Sequence, residues 1–218
     1  MNSIQPDLSF DDETHTYRWR GSVCIGVTSL FDRVGTRQDD KHPWNPIGCP
    51  DFCKTEHDSN FGSAFHKIPE IVLNGGNPKY PESMKPWVEN FYQFLEKYPV
   101  KPLYDQNGKP LIEYPVYSVK YKYAGTIDLV AWLDSTIYLI DWKTSSSYQK
   151  SYSLQTAAYE QAFREVFEGV IFPRKSKIVR MTVLINADEF KLYPRDQKTG
   201  SGDFNTFLSI LNTYRFAA

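Results

Sequence analysis

Residues 125–145, GTIDLVAWLDSTIYLIDWKTS, hold two apolar runs joined at Asp134-Ser135. Aliphatic, β-branched and aromatic residues dominate both arms, and the polar pair between them is turn chemistry, so the stretch reads as a buried β-hairpin. Yet Asp128, Asp141 and Lys143 stand inside the arms. Side chains alternate faces along a strand, so Ile137, Leu139, Asp141 and Lys143 share one face, and Asp128 shares a face with Thr126 and Val130. A two-residue turn pairs Leu133 with Thr136 and sets Asp128 directly opposite Asp141. A four-residue turn pairs Asp128 with Lys143 on that same face, and a three-residue turn sends the two aspartates to opposite faces.

Directly opposed residues have Cβ atoms about 4.5–5.5 Å apart. Two carboxylates that close repel by about 4 kcal/mol at 4 Å, with an effective dielectric near 20. One of them must hold a proton, or a cation must lie between them. Oxygen ligands of this hardness suit Mg²⁺ or Mn²⁺. Lys143 reaches the same cleft, where its ammonium is able to orient an attacking water or offset phosphate charge.

The rest of the chain sets the frame. Its 218 residues are 41% hydrophobic and 23% charged, the make-up of one ordinary globular domain. The formal charge of −1 excludes a uniformly basic DNA-coating protein, but not a nucleic-acid enzyme with a local basic groove. THTYRWRG and SVCIGVT form an N-terminal hairpin around Gly21, and a short helix follows from Thr28 or Ser29 to about Val34. Residues 35–60 are polar and irregular, a cap segment. FGSAFHKIPEIVL has helical spacing, with Pro69 expected to kink or split it. MKPWVENFYQFLEKY is a second helix. The strands KPLIEYPVYSV, KYAGTIDLVAWL and TIYLIDWKT lead to the helix SLQTAAYEQAFREVFE, the strands KIVRMTVLI and EFKLYPR, and a last helix in FNTFLSILNTYRF. The order predicts one mixed α/β domain over residues 1–218.

Cys24, Cys49 and Cys53 are the only cysteines, an odd count that reads as free thiols of a reducing compartment. CPDFC lacks the second pair a structural zinc needs. The N-terminus carries no signal-peptide pattern and no run of about 18 apolar residues exists, so a soluble, cytoplasmic protein without a membrane partner is expected.

Four ordered motifs resemble the PD-(D/E)xK nuclease superfamily and its RecB-like exonuclease branch: GSAFH at 62–66, GTID at 125–128, DWK at 141–143 and LQTAAY at 154–159. The order of elements is also similar to small bacteriophage nucleases and the mitochondrial genome-maintenance exonuclease, and the likeness spans roughly residues 8 to 195. It implies a restriction-endonuclease-like mixed sheet flanked by helices. The implied activity is Mg²⁺- or Mn²⁺-dependent hydrolysis of DNA, as an exonuclease in DNA processing, recombination or repair, in a phage or bacterial setting. A structure-specific or nicking endonuclease on the same fold, and a non-catalytic DNA-binding subunit, are the rival readings.

The resemblance also implies roles. Asp128 and Asp141 ligate metal together with the backbone carbonyl of Trp142, Lys143 is the catalytic lysine, and His66 is a further ligand. Glu113 supports the site or a second metal, or is a plain strand-surface acid. Gln155 and Tyr159 brace the site from their helix and approach DNA. Four-cysteine relatives carry an iron–sulfur cluster; with no cysteine after Cys53, none is expected here. Apart from the resemblance, Arg174, Lys175 and Lys177 in PRKSK are candidate phosphate contacts, with Lys120 and Lys122 as lesser ones. Trp44, Phe52 and Phe61 are candidates to stack on a DNA end.

Overall fold

The computed structural model describes residues 5–11, 14–35 and 56–217. Trp44, Cys49, Phe52, Cys53 and residues 36–55 of the expected cap lie outside them, while residues 56–60, expected to be irregular, are helical.

Nine strands form one mixed sheet, and its centre is β6 (Tyr123–Leu133). Both edges of β6 are used twice. On one edge β5 (Ile112–Ser118) and β4 (Lys101–Pro102) pair antiparallel. On the other, β7 (Thr136–Lys143) pairs antiparallel with Leu129 to Leu133, and β3 (Ser22–Gly26) pairs parallel with Tyr123 and Ala124. Between those partners, residues 125–128 have no strand partner on that edge among the described residues. β1 (Leu8–Asp11) and β2 (Thr16–Trp19) extend the sheet beyond β3, while β8 (Ile178–Ile185), parallel to β7, and β9 (Phe190–Arg195) extend it beyond β7.

Leu133 pairs with Thr136, the register of a two-residue turn, with Asp134 held at φ 52°. N-terminal strands number three where two were expected, because Leu8–Asp11 pairs with Thr16–Trp19 ahead of the Gly21 turn.

Helices cover both faces. α1 (Val27–Gly35), α4 (Lys150–Phe167) and α5 (Asp203–Ala217) pack on one side, with Leu30, Phe163 and Phe207 against Ile127, Val130 and Leu139. α2 (Glu56–Leu73) and α3 (Lys85–Lys97) pack on the other, with Phe65, Ile68, Phe91 and Phe94 against Leu129, Ile140 and Trp142. Pro69 does not split α2, which runs unbroken through it. Phe65, Ile68 and Pro69 are all buried, and their packing offsets the roughly 3 kcal/mol a proline costs a helix interior. No described helix is long and apolar enough to cross a membrane.

Strict alternation fails at one level of the sheet. On β6 the α4 side is taken by Tyr123 and Ile127 but then by Val130, a change of phase between 127 and 130. Glu113, the residue of β5 at this level, has φ 43°, in the left-handed region. Thr126 therefore lies on the face away from Val130, where its hydroxyl meets Tyr17 Oη at 2.8 Å, rather than sharing a face with it.

Candidate functional site

The site occupies the split where β6 and β7 part. The β6–β7 ladder stops at Leu129–Ile140, one pair short of Asp128 and Asp141. In place of the missing rung, Trp142 N–H donates to Asp128 Oδ2 at 2.8 Å. A strand residue points its N–H and C=O to the same edge, so the Trp142 carbonyl faces the split as well.

Because the sheet is open here, helices on both of its faces reach neighbouring acids of one cluster. From α2, His66 Nδ1 lies 3.5 Å from Asp128 Oδ2 and 3.5 Å from Glu113 Oε1. Ligand atoms of His66, Glu113 and Asp128 all fall within 4.8 Å of one another. From α4, Gln155 Nε2 donates to Asp141 Oδ1 at 3.1 Å and to Tyr159 Oη at 2.9 Å. Lys143 Nζ bonds the same Asp141 oxygen at 2.8 Å, and the ammonium lies 5.3 Å from the centre of the Tyr152 ring. Tyr152 is fixed in turn by its hydroxyl on Ser145 Oγ at 2.9 Å.

Electrostatics follow from burial. Asp141 is fully buried, and desolvation pushes its pKa up to about 6 despite the neighbouring Lys143. Burial likewise raises Asp128, with His66 opposing and Glu113 adding to the rise. Burial by itself lowers the His66 imidazole, but Asp128 and Glu113 outweigh it and hold the pKa above its ordinary value. The same holds for Lys143, which Asp141 and Asp128 keep charged against the cost of desolvation.

Two buried carboxylate oxygens in the cluster are poorly satisfied: Asp141 Oδ2 accepts no hydrogen bond among the described residues, and Glu113 Oε1 has only the contact to His66 Nδ1 at 3.5 Å. An unsatisfied buried carboxylate oxygen is costly, and these two flank Asp128. A donor set of carboxylate oxygens, one carbonyl and one imidazole fits a hard divalent cation.

Gln155 and Tyr159, expected to approach DNA, are instead 6% and 3% exposed and present almost no surface to a ligand. Their periodicity put them on the correct face, but that face packs on the sheet. Tyr159 lies over Gly125, where any Cβ would run into its Cε1. The glycine of GTID is what lets α4 come this close and deliver Gln155 to Asp141. Arg180 anchors the first turn of α4 through Ser153 O at 2.7 Å, and is itself neutralised by Glu160 at 3.2 Å and Asp203 at 3.0 Å.

Arg174, Lys175 and Lys177 are exposed but are not brought to the site. Thr182 pairs with Asp141, so Lys177, five residues earlier, lies roughly 15 Å back along the strand direction. The cause is the crossover: α4 returns the chain to the start of the parallel strand β8, at the end of the sheet away from Lys143. Lys120 and Lys122 occupy the β5–β6 turn, Lys120 with its ammonium over the neighbouring Tyr121 ring. Phe61 packs edge-on against Trp87, 5.0 Å between ring centres, in the apolar layer under α3.

Two site features had escaped sequence reasoning. Tyr152 sits three residues before Gln155, on the turn of α4 above it, a spacing that would have flagged it. Tyr17 arrives from the N-terminal hairpin, its hydroxyl pushed up to about 12 by burial; nothing local in THTYRWRG signals that contact. No protein-family model matches the chain, and no curated protein matches it in sequence.

Proposed function

We propose that this chain is a metal-dependent deoxyribonuclease of the PD-(D/E)xK type, hydrolysing phosphodiester bonds from DNA ends. The observation that carries the reading is a pair of under-satisfied buried carboxylate oxygens, Asp141 Oδ2 with no donor among the described residues and Glu113 Oε1 with only His66 Nδ1 at 3.5 Å, set around Asp128 and beside a largely buried lysine. A purely structural cluster would be expected to satisfy those oxygens with donors; a cation site leaves them free for the ion. Asp128, Asp141, His66, Glu113 and the Trp142 carbonyl are the residues that would hold Mg²⁺ or Mn²⁺. What such an ion supplies is polarisation of a phosphoryl oxygen and activation of water.

The chain's own groups do the rest. Gln155 fixes one oxygen of Asp141, so that the other is aimed without freedom to rotate. Lys143, kept protonated by the two aspartates, holds a positive charge where negative charge develops on the phosphate. Its seat on the Tyr152 ring limits where the ammonium can move. Contacts of this kind address phosphate rather than base, so little sequence preference is expected.

The test is cleavage of end-labelled single-stranded DNA, blunt duplex and covalently closed circles with Mg²⁺, Mn²⁺ or EDTA, beside Asp128→Ala and Lys143→Ala. Metal-dependent loss of linear substrates alone, abolished in both variants, supports the exonuclease. Cutting of the circle moves the assignment to an endonuclease. DNA binding without cleavage under either metal leaves the non-catalytic subunit as the surviving reading.

A further inference from the structure

β9 is an edge strand whose two faces differ in kind. Phe190 and Leu192 turn into the apolar layer under α3. Lys191, Tyr193 and Arg195, in the sequence KLYPR, take the other face. Register places that face in line with the site: Tyr193 pairs with Thr182 and Thr182 with Asp141, while Lys191 pairs with Leu184 and Leu184 with Lys143. Adjacent strands are about 4.8 Å apart, so Tyr193 stands roughly 10 Å across the sheet from Asp141.

The tyrosine does not stand alone. Tyr148, in the loop that joins β7 to α4, stacks on Tyr193 with ring centres 4.5 Å apart and planes at 22°. Tyr148 also meets Tyr152 edge-on at 5.9 Å, and Tyr152 carries Lys143. The three rings thus make a continuous wall from the lysine to the sheet edge. None of them joins any of the three apolar clusters among the described residues. Tyr148 and Tyr193 are only partly buried, and the Tyr148 hydroxyl is buried without a hydrogen-bond partner. Tyr152 is 4% exposed and packs as core behind the other two, which are not explained that way. Lys191, whose one ion pair among the described residues is the solvent-exposed one to Glu189, and Arg195, which spends one donor on Thr199 O, flank the wall.

Aromatic faces interleaved with cations are the chemistry that grips an unpaired polynucleotide strand, and a base inside a duplex cannot reach them. We propose that Tyr148 and Tyr193, backed by the buried Tyr152 and flanked by Lys191 and Arg195, form a subsite that stacks an unpaired base beside the scissile phosphate and feeds a single strand to the cleft. The proposal rests on the reading of the cleft as a phosphodiesterase site. It makes the preferred substrate a single strand or a frayed end.

The experiment is equilibrium binding in EDTA, so that no cleavage intervenes. Labelled oligo-dT of about twelve nucleotides and a blunt duplex of the same length are titrated against wild type, Tyr193→Ala, Tyr148→Ala, Tyr193→Phe and Lys191→Ala. Oligo-rU runs in parallel and tells which sugar the strand carries. The expected result is tighter binding of single strand than duplex by wild type. Each alanine variant at a tyrosine should lose about ten-fold on the single strand and little on the duplex, and Tyr193→Phe should retain wild-type affinity. Lys191→Ala should reduce the slope of log Kd against log salt by about 0.7, the release from one phosphate. Unchanged single-strand affinity in the tyrosine variants, or equal loss on both substrates, overturns the proposal. Should those variants fail to fold, an unchanged salt slope in the exposed Lys191→Ala variant does so. A wild type that binds through the wall but cuts nothing with Mg²⁺ or Mn²⁺ removes the nuclease reading instead. One that cuts while ignoring the tyrosine changes removes the wall alone.

Discussion

Without metal, Asp141 is a liability to the fold, and the size of that liability is open to measurement. Burial raises its pKa from 3.8 to about 6. In the pH range between those values the native state holds a proton that the unfolded chain has released. Stability from this group is therefore complete below about pH 4 and is lost as pH rises through about 6. At 1.36 kcal/mol per unit, the full step is about 3 kcal/mol. Asp141→Asn keeps the shape and the acceptor for Gln155 and Lys143 but cannot ionise. The variant's advantage over wild type, measured by urea unfolding in EDTA, should grow by roughly 2–3 kcal/mol between pH 4 and pH 7.5. Asp128 and His66 interact electrostatically with Asp141, so their titration is altered in the variant and forms part of the measured difference. A constant difference across that range would refute the reasoning, because it would mean that Lys143 fully compensates the buried charge and that the site does not call for a cation.

Three further outcomes follow from the same geometry. Saturating Mn²⁺ at pH 7.5 should raise the melting temperature by about 5–10 °C, the effect of ligand at a hundred times its Kd on a domain of this size; the shift should shrink in Glu113→Gln and His66→Ala when followed by differential scanning calorimetry. Gly125→Ala should cost about 1–3 kcal/mol in urea unfolding by forcing Tyr159 off the strand, and should lower nuclease kcat more than it raises KM, since Gln155 moves with α4. Tyr152→Phe keeps the ring under Lys143 and should retain most activity, whereas Tyr152→Ala should lose about ten-fold or more in kcat on labelled DNA.

The sheet and its helices were legible because their signals are local and periodic. Three turn lengths were open for the 125–145 hairpin and the structure takes the two-residue one, while the faces of Ile137, Leu139, Asp141 and Lys143 followed from alternation. What was not legible depends on where the chain returns to in space. PRKSK announces charge, but only the crossover of α4 decides at which end of β8 that charge lands. Gln155 and Tyr159 were correctly paired by an i, i+4 spacing, yet spacing carries no information about whether solvent or a strand lies above them. Pro69 argued for a broken helix, and burial on both sides of it overrode the local rule.

The most consequential miss is also the most instructive. Alternation predicted Thr126, Asp128 and Val130 on one face, and the chain departs from alternation at the level of Asp128 and Glu113. In a regular sheet Asp128 would share the α4 face with Val130 and Asp141, out of reach of His66 on α2. The left-handed backbone at Glu113 and the open edge of β6 at 125–128 remove that restriction. His66 and Gln155 then approach one cluster from opposite sides. Left-handed conformations at non-glycine residues cost of order 1–3 kcal/mol and persist where the surroundings enforce them. Here the strain sits where helices on opposite faces reach neighbouring acids of one cluster, which is where a local sequence rule should be expected to give way to function.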